Sequence, residues 1–194
     1  QRTGRQLIQK WRPLERGAAM NNRYSKVAIA FHWVIAALIV SNFVLASMAE
    51  DAPKAIAGSY MASHKALGIS ILALSVLRLF WRFGHKPPPL PASISGWQAA
   101  LGKAVHWLFY FLMIAVPVTG WLMASAHPKA PPVEFFGLFD ATLPVGKDEG
   151  LAGIGHEGHE ILTKPLFLLI ILHVLAALKH QFIDRLPFIQ RILR

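Results

Sequence analysis

His156–His180, HEGHEILTKPLFLLIILHVLAALKH, is the stretch on which the fold turns. Four histidines stand in it, His156, His159, His173 and His180, and most of what separates the last three is Leu, Ile, Phe, Ala and Val. An ionisable ring is costly in such surroundings unless something bonds it. The apolar run Ile161–Phe182 has the length that crosses a hydrocarbon core of roughly 30 Å as a helix. A membrane helix that carries imidazoles is therefore the starting point.

Three more runs have that length: Val27–Ala49, His64–Phe83 and Ala104–Ala126. The chain of 194 residues is 54% hydrophobic and 15% charged, too apolar for an ordinary soluble domain. The predicted fold class is an all-α membrane protein, a four-helix transmembrane bundle. The Lys and Arg inside the spans are Lys65, Arg78, Arg82, Lys164 and Lys179, each near a span end where a long side chain can snorkel. Four spans put both termini on one side. With that side cytoplasmic, 15 of the 20 Lys and Arg fall inside and eight of the ten acids outside. This is the positive-inside bias. The net charge of +10 thus speaks for topology and anionic lipid, not for nucleic acid. The expected arrangement is multi-pass, with cytoplasmic N- and C-termini.

The chain divides into a basic N-terminal segment (1–25), the transmembrane domain (26–183) and a basic tail (184–194). Residues 1–25 lack the apolar core of a secretory signal, and LIQKWRPL within them reads as a short amphipathic segment limited by Pro13. GHKPPPLPASISGW is a stiff connector between spans two and three. The segment 127–158 faces outward, and Phe135, Phe136 and Phe139 are expected to lie on the membrane surface and roof what sits below. Pro117 and Pro165 are expected to bend or loosen spans three and four. Trp33, Trp81, Trp107 and Trp121 read as interfacial belt residues.

The sequence has no cysteine, which excludes disulfides, thiolate-held iron–sulfur clusters and haem attached through CxxCH. Histidine is the ligand left for a redox cofactor. His159 and His173 are 14 residues apart, which returns to within about 40° of one helix face and separates them by ~21 Å. His180 follows seven residues later on that face. In the alternating topology His64, His156 and His159 share the outer level, and His32, His106, His173 and His180 the inner one. Two imidazoles on facing helices at one depth make an axial pair for haem iron, and two levels permit two haems. At the inner level either His32 or His106 can face His173. Zinc is the rival ligand, but the inner level offers it no carboxylate; Glu157 and Glu160 lie near the outer level, where a weak surface zinc site stays open. His85, His127 and His156, in loops, read as ordinary hydrogen-bonded residues. Gly68, one turn after His64, suits either a flat macrocycle or close helix packing. Arg78 and Arg82 suit either haem propionates or membrane anchoring.

NRYSKVAIAFHW, HKALGISILALSVLRLFWR, LFYFLMIAVPVTGW, FFGLFDATLP and GHEILTKPLFLLIILHVLAALKH together resemble the bacterial cytochrome b561 family, over roughly Asn22 to Phe182. The resemblance implies a four-helix integral cytochrome of the bacterial inner membrane, with two haem b groups, that exchanges electrons with ubiquinone. One branch of that family oxidises superoxide at the periplasmic side. By the same resemblance His32 and His173 hold the inner haem iron, and His64 and His159 the outer one. His106 and His180 match family histidines near the cytoplasmic quinone end. Family members begin shortly before the Tyr-Ser of the first motif, so Gln1–Ala19 depart from the pattern and Met20 is the expected original start.

The function expected is transmembrane electron transfer, either as a superoxide:ubiquinone oxidoreductase or as a pure carrier. As a carrier it would serve a redox partner protein or anchor a respiratory complex in the membrane. The acidic balance of the outer segments repels a superoxide anion at long range, unless Lys54, Lys65, Lys129, Lys147 and Lys164 form a local basic funnel. A histidine-lined metal transporter is the non-redox alternative. At the quinone end His180 and His106 would pass protons, since imidazole exchanges them near neutral pH, beside a pocket formed by Phe109, Phe182 and Leu178.

Overall fold

The structure, a computed structural model, describes residues 24–90, 94–186 and 188–193. The amphipathic reading of residues 7–14 lies outside them. Each long helix starts at a capping group. Helix α1 (Lys26–Asp51) opens on Ser25, whose hydroxyl accepts the Ala28 amide at 3.2 Å. Helix α2 (Lys54–Gly84) opens on Pro53, whose carbonyl takes the Ile56 and Ala57 amides at 3.0 Å. Helix α3 (Gly96–Ala126) opens on a reciprocal Ser95/Gln98 capping box. Helix α4 (Glu149–Leu178) opens on Asp148, whose carboxylate accepts the Leu151 amide at 2.7 Å, with Glu149 adding negative charge at the dipole's positive end. A π-helical turn (Lys179–Ile183) and a short helix α5 (Gln190–Leu193) follow.

All four long helices are long and apolar enough to cross a membrane. They form the predicted bundle, but three begin well before the apolar runs do. Helix α2 starts at Lys54 rather than His64, α3 at Gly96 rather than Ala104, and α4 at Glu149 rather than Ile161. Apolarity marks the part of a helix that meets lipid, whereas caps mark where helical hydrogen bonding begins. His64 is therefore well inside α2, and His156 lies on α4 rather than in a loop. Pro117 and Pro165 sit within α3 and α4, which stay helical through both. Thr119 returns its hydroxyl to the Ala115 and Val116 carbonyls at 2.9 and 2.8 Å, the kind of side-chain bond that lets a membrane helix absorb a proline.

Large apolar side chains such as Val40, Leu77, Phe111 and Leu172 line the outside of the helices, as lipid-facing positions should. Inside, Ile35, Ile39, Ile71 and Met113 form one buried cluster and Leu112, Val116 and Leu166 another. The backbones of α1 and α2, of α2 and α3, and of α3 and α4 approach closely. Helix α4 meets α1 and α2 through rings instead: Phe43 on Phe167, His32 on His173, His64 on His159.

The described chain starts and finishes at one end of the bundle, here the basic end. There the Trp33 indole donates to the Ile192 carbonyl at 2.8 Å, and Arg191 donates to the Pro89 carbonyl at 2.7 Å. The Trp81 indole donates to the Ser25 hydroxyl at 3.3 Å. At the opposite end Glu134–Phe135 (β1) and Phe139–Asp140 (β2) pair as a small antiparallel hairpin against α2. Its turn puts Phe136 at φ 51° and Gly137 at φ 72°, the double positive φ of a mirror-image hairpin turn. The segment is laced to α3: the Trp121 indole donates to the Ala141 carbonyl at 2.6 Å, and the Leu143 amide to the Ser125 hydroxyl at 3.0 Å. The Phe-rich segment thus covers this end, with Phe136 and Phe139 exposed. Trp33, Trp81 and Trp121 are more than belt residues, since each indole ties a segment in place.

Candidate functional site

At the hairpin end His64 of α2 and His159 of α4 face each other with ring centres 6.2 Å apart. His64 Nδ1 lies 3.1 Å from the Asn42 carbonyl of α1, and His159 Nδ1 lies 2.9 Å from the Val116 carbonyl of α3. A carbonyl only accepts, so each Nδ1 carries the proton and each Nε2 keeps its lone pair. A metal-ligating histidine is commonly oriented by such a bond. The seat of His159 is built by glycine. A Cβ on Gly120 would come within 2.8 Å of His159 Nδ1 and 2.9 Å of Cε1. Along the same crossing a Cβ on Gly155 would come within 2.6 Å of the Met123 amide nitrogen, and one on Gly158 within 3.0 Å of a Thr119 methyl. At Gly68 only Asn42 Nδ2 lies near, at 3.9 Å, so that flank of α2 is open.

Toward the basic end His173 of α4 stands 6.3 Å from His32 of α1 and 6.3 Å from His106 of α3. The two neighbours are not equivalent. Phe109 of α3 already packs on His173 at 5.3 Å, and α3 and α4 are close-packed along their length. Between α1 and α4 no such backbone packing exists among the described residues. Arg78 lies within electrostatic reach of His32, His106 and His173, and Arg82 of His106. The Arg78 guanidinium sits 5.7 Å from the Tyr110 ring centre, a cation–π distance. Neither arginine is in a salt bridge among the described residues.

Haem iron between two imidazoles holds the ring centres on the order of 6 Å apart: two metal–nitrogen bonds of about 2 Å and two ring radii of about 1.1 Å. The separations of 6.2 and 6.3 Å fit that requirement, and so do the free Nε2 atoms of His64 and His159. Zinc fits less well: among the described residues no group of three His, Cys, Asp or Glu is placed to hold a metal ion.

The family profile for prokaryotic cytochrome b561 matches residues 23–194. The chain belongs to the prokaryotic cytochrome b561 family. It is 30% identical over 174 residues to "Cytochrome b561 homolog 2" of Escherichia coli (strain K12), covering 88% of this chain and 91% of that protein. It is 27% identical over 166 residues to "Probable superoxide oxidase CybB" of Yersinia pestis, covering 84% and 92%. It is 24% identical over 179 residues to "Cytochrome b562" of Cereibacter sphaeroides, covering 88% and 95%. As a member of the cytochrome b561 family it is a bacterial membrane protein that binds haem b and transfers electrons.

The remaining histidines have other partners. His180, within the π-helical turn, meets Asp184 at 2.7 Å and the Phe188 ring at 5.2 Å. His156 Nδ1 lies 3.4 Å from the Met123 sulfur, His85 Nδ1 lies 3.1 Å from the Trp81 carbonyl, and His127 Nδ1 accepts the Lys129 amide at 3.2 Å. Met123, His127, Glu149 and His156 line an open cleft of about 430 Å³ at the hairpin end. Of the five lysines expected there, Lys164 is paired with Glu160 at 2.8 Å and Lys147 reaches the Ala130 carbonyl at 3.3 Å. The reading from sequence missed Asn42, Val116, Gly120 and Asp184. Asn42 had a signal, an amide in the middle of an apolar run, and Gly120 follows Thr119 in another. Backbone carbonyls carry no sequence signal.

Proposed function

We propose that the chain carries electrons across the bacterial inner membrane through two haem b groups, exchanging them with ubiquinone at the basic end. The observation that carries this reading is the pair of facing imidazole couples at two depths, 6.2 and 6.3 Å between ring centres. His64 and His159 would hold one iron, oriented by the Asn42 and Val116 carbonyls. His32 and His173 would hold the other, because α1 and α4 lack the close backbone packing that joins α3 to α4, and Phe109 of α3 already packs on His173. Bound so, haem b passes one electron at a time, and two imidazoles leave no open position for oxygen. The apolar clusters between the two levels keep water out of the bundle core. Arg78 and Arg82 would pair with the haem propionates at the basic end. His106 and His180 would handle protons there.

The two-sided arrangement implies a donor at the hairpin end. Superoxide is one, in keeping with the name of the Yersinia pestis relative; a periplasmic redox protein is the other. The Lys164–Glu160 pair removes one cation from a basic funnel and weakens the case for superoxide steering. With the basic end cytoplasmic, both termini face the cytoplasm.

The purified protein should show a low-spin haem b spectrum with two haems per chain. His64→Ala and His159→Ala should lose the same haem and keep the other, while His32→Ala and His173→Ala lose the second. Loss of one and the same haem in His64→Ala and His173→Ala would overturn the pairing. Haem retention in His32→Ala but not in His106→Ala would move the ligand to α3.

A further inference from the structure

At the end of α4 the chain leaves α-helical register in a way that groups three ionisable side chains. The π-helical turn is closed by the Asp184 amide donating to the Lys179 carbonyl at 3.1 Å, and the Leu186 amide donates to the His180 carbonyl at 2.8 Å. The widened turn suits the five-residue spacing of Lys179 and Asp184, and His180 reaches the same carboxylate at the ordinary four-residue helical spacing. Lys179 Nζ lies 2.9 and 2.7 Å from the two oxygens of Asp184, and His180 Nδ1 lies 2.7 Å from Oδ2. Single π-helical turns recur at functional sites because they are harder to form than the α-helix they interrupt.

The hydrogen bond from Lys179 holds the Asp184 carboxyl below the usual carboxylate range, with a smaller contribution from His180. Asp184 is thus an anion at neutral pH and accepts only. His180 Nδ1 must then be the donor, which leaves Nε2 as the atom that binds or gives a proton. The distance of 2.7 Å is that of a charge-assisted bond. The Phe188 ring packs on the imidazole at 5.2 Å, and 26% of the His180 side chain stays exposed. A ring fixed at one nitrogen, packed against Phe188 and still partly exposed is oriented for proton exchange through its other nitrogen.

We propose that Asp184 is a positioning residue for quinone chemistry: its carboxylate accepts the hydrogen bond of His180 Nδ1–H and so presents Nε2 to the quinone oxygen. This rests on the reading that ubiquinone reacts at the basic end. Reduction of the quinone to quinol consumes two electrons, delivered through the haem groups, and two protons. In each proton step the Nε2–H bond breaks and a quinone O–H bond forms; the imidazolium loses its charge, and water returns the proton. The Asp184 carboxylate accepts the Nδ1–H bond before and after each step, so the ring keeps its orientation. An exposed Lys179–Asp184 pair by itself would contribute little, so its use here is to hold both carboxylate oxygens in place for His180.

The test compares electron exchange of the di-haem protein with a short-chain ubiquinone and with ferricyanide, which takes electrons without protons. Asp184→Ala should slow the quinone reaction at least about tenfold, leave both haem spectra intact and leave the ferricyanide rate unchanged. Asp184→Glu should restore most of the quinone rate. Asp184→Asn keeps an acceptor but not the charge, so it should fall between; it also serves should the alanine variant fail to assemble. Quinone exchange unchanged in Asp184→Ala while His180→Ala slows it would overturn the role of Asp184 and leave the quinone site standing. Unchanged exchange in His180→Ala with both haems present would overturn the site and the proposal together. Equal slowing of the quinone and ferricyanide reactions in Asp184→Ala would mark a merely structural role and also overturn it.

Discussion

The seat of His159 depends on one missing methyl group. Gly120 leaves the space in which the imidazole reaches the Val116 carbonyl, and a Cβ there would stand 2.8 Å from Nδ1. That is too close for the ring to hold its place, so the ring must shift and its Nδ1 bond is strained. Gly120→Ala is therefore expected to lose or shift one haem and keep the other, with total haem falling to about half as an oriented ligand is lost. Pyridine haemochrome content and the low-temperature α-band would show it. Gly102→Ala, where an added Cβ meets nothing within 4 Å, is the control. Full occupancy with unchanged bands in Gly120→Ala would mean that His159 is not held as described. The same logic explains why the histidines outside the core need no cofactor: His85, stacked 3.8 Å from the Trp81 ring, has its bond already.

At the scale of elements, α3 and α4 approach closely, and the approach depends on a glycine that meets backbone. A Cβ on Gly155 would stand 2.6 Å from the Met123 nitrogen and 2.9 Å from the Thr119 carbonyl oxygen, neither of which can swing aside. Small residues let membrane helices pack by van der Waals contact, since lipid supplies no hydrophobic drive to hold them together. Gly155→Ala should thus push the helices apart and destabilise the fold by roughly 1–3 kcal/mol, the usual cost of overpacking. Gly153→Ala lies on the same helix with nothing within 4 Å, and should be neutral or stabilising by up to about 1 kcal/mol through helix propensity. Thermal unfolding in one detergent, followed by loss of the haem band, compares the two directly. A Gly155→Ala variant as stable as Gly153→Ala would show the crossing to be looser than drawn.

For the whole molecule, the charge balance and the bundle agree that both described chain ends lie together, at the end rich in arginine. Lys and Arg in short loops set orientation during insertion, so the hairpin end is expected to face the periplasm. Lys129 is exposed at that end, and the sequence has no cysteine, so Lys129→Cys carries a single thiol. A membrane-impermeant maleimide should label it in intact spheroplasts. Labelling only after lysis would reverse the topology, and with it the assignment of a cytoplasmic quinone site. Asp148 is a poorer labelling position, because its carboxylate caps α4.

The count of four spans, the haem-bearing family and the two histidine levels were legible in the sequence, because lipid exposure demands apolar runs of fixed length and a buried imidazole stands out within them. Helix starts were half legible: Asp148 and the Ser95–Gln98 pair announce caps, yet an apolar count skips them. The choice between His32 and His106 opposite His173 could not be read from depth, since both stand at one level. It is argued instead from which helix pair leaves a gap, a property of α1, α3 and α4 together. Equally tertiary are the carbonyls of Asn42 and Val116 that fix the histidine tautomers, because a carbonyl is common to every residue and only the fold aims it. Helical spacing relates His180 to His173, and only the fold shows that its Nδ1 meets Asp184 and its ring meets Phe188, since the path of the chain past the π-helical turn is a tertiary matter.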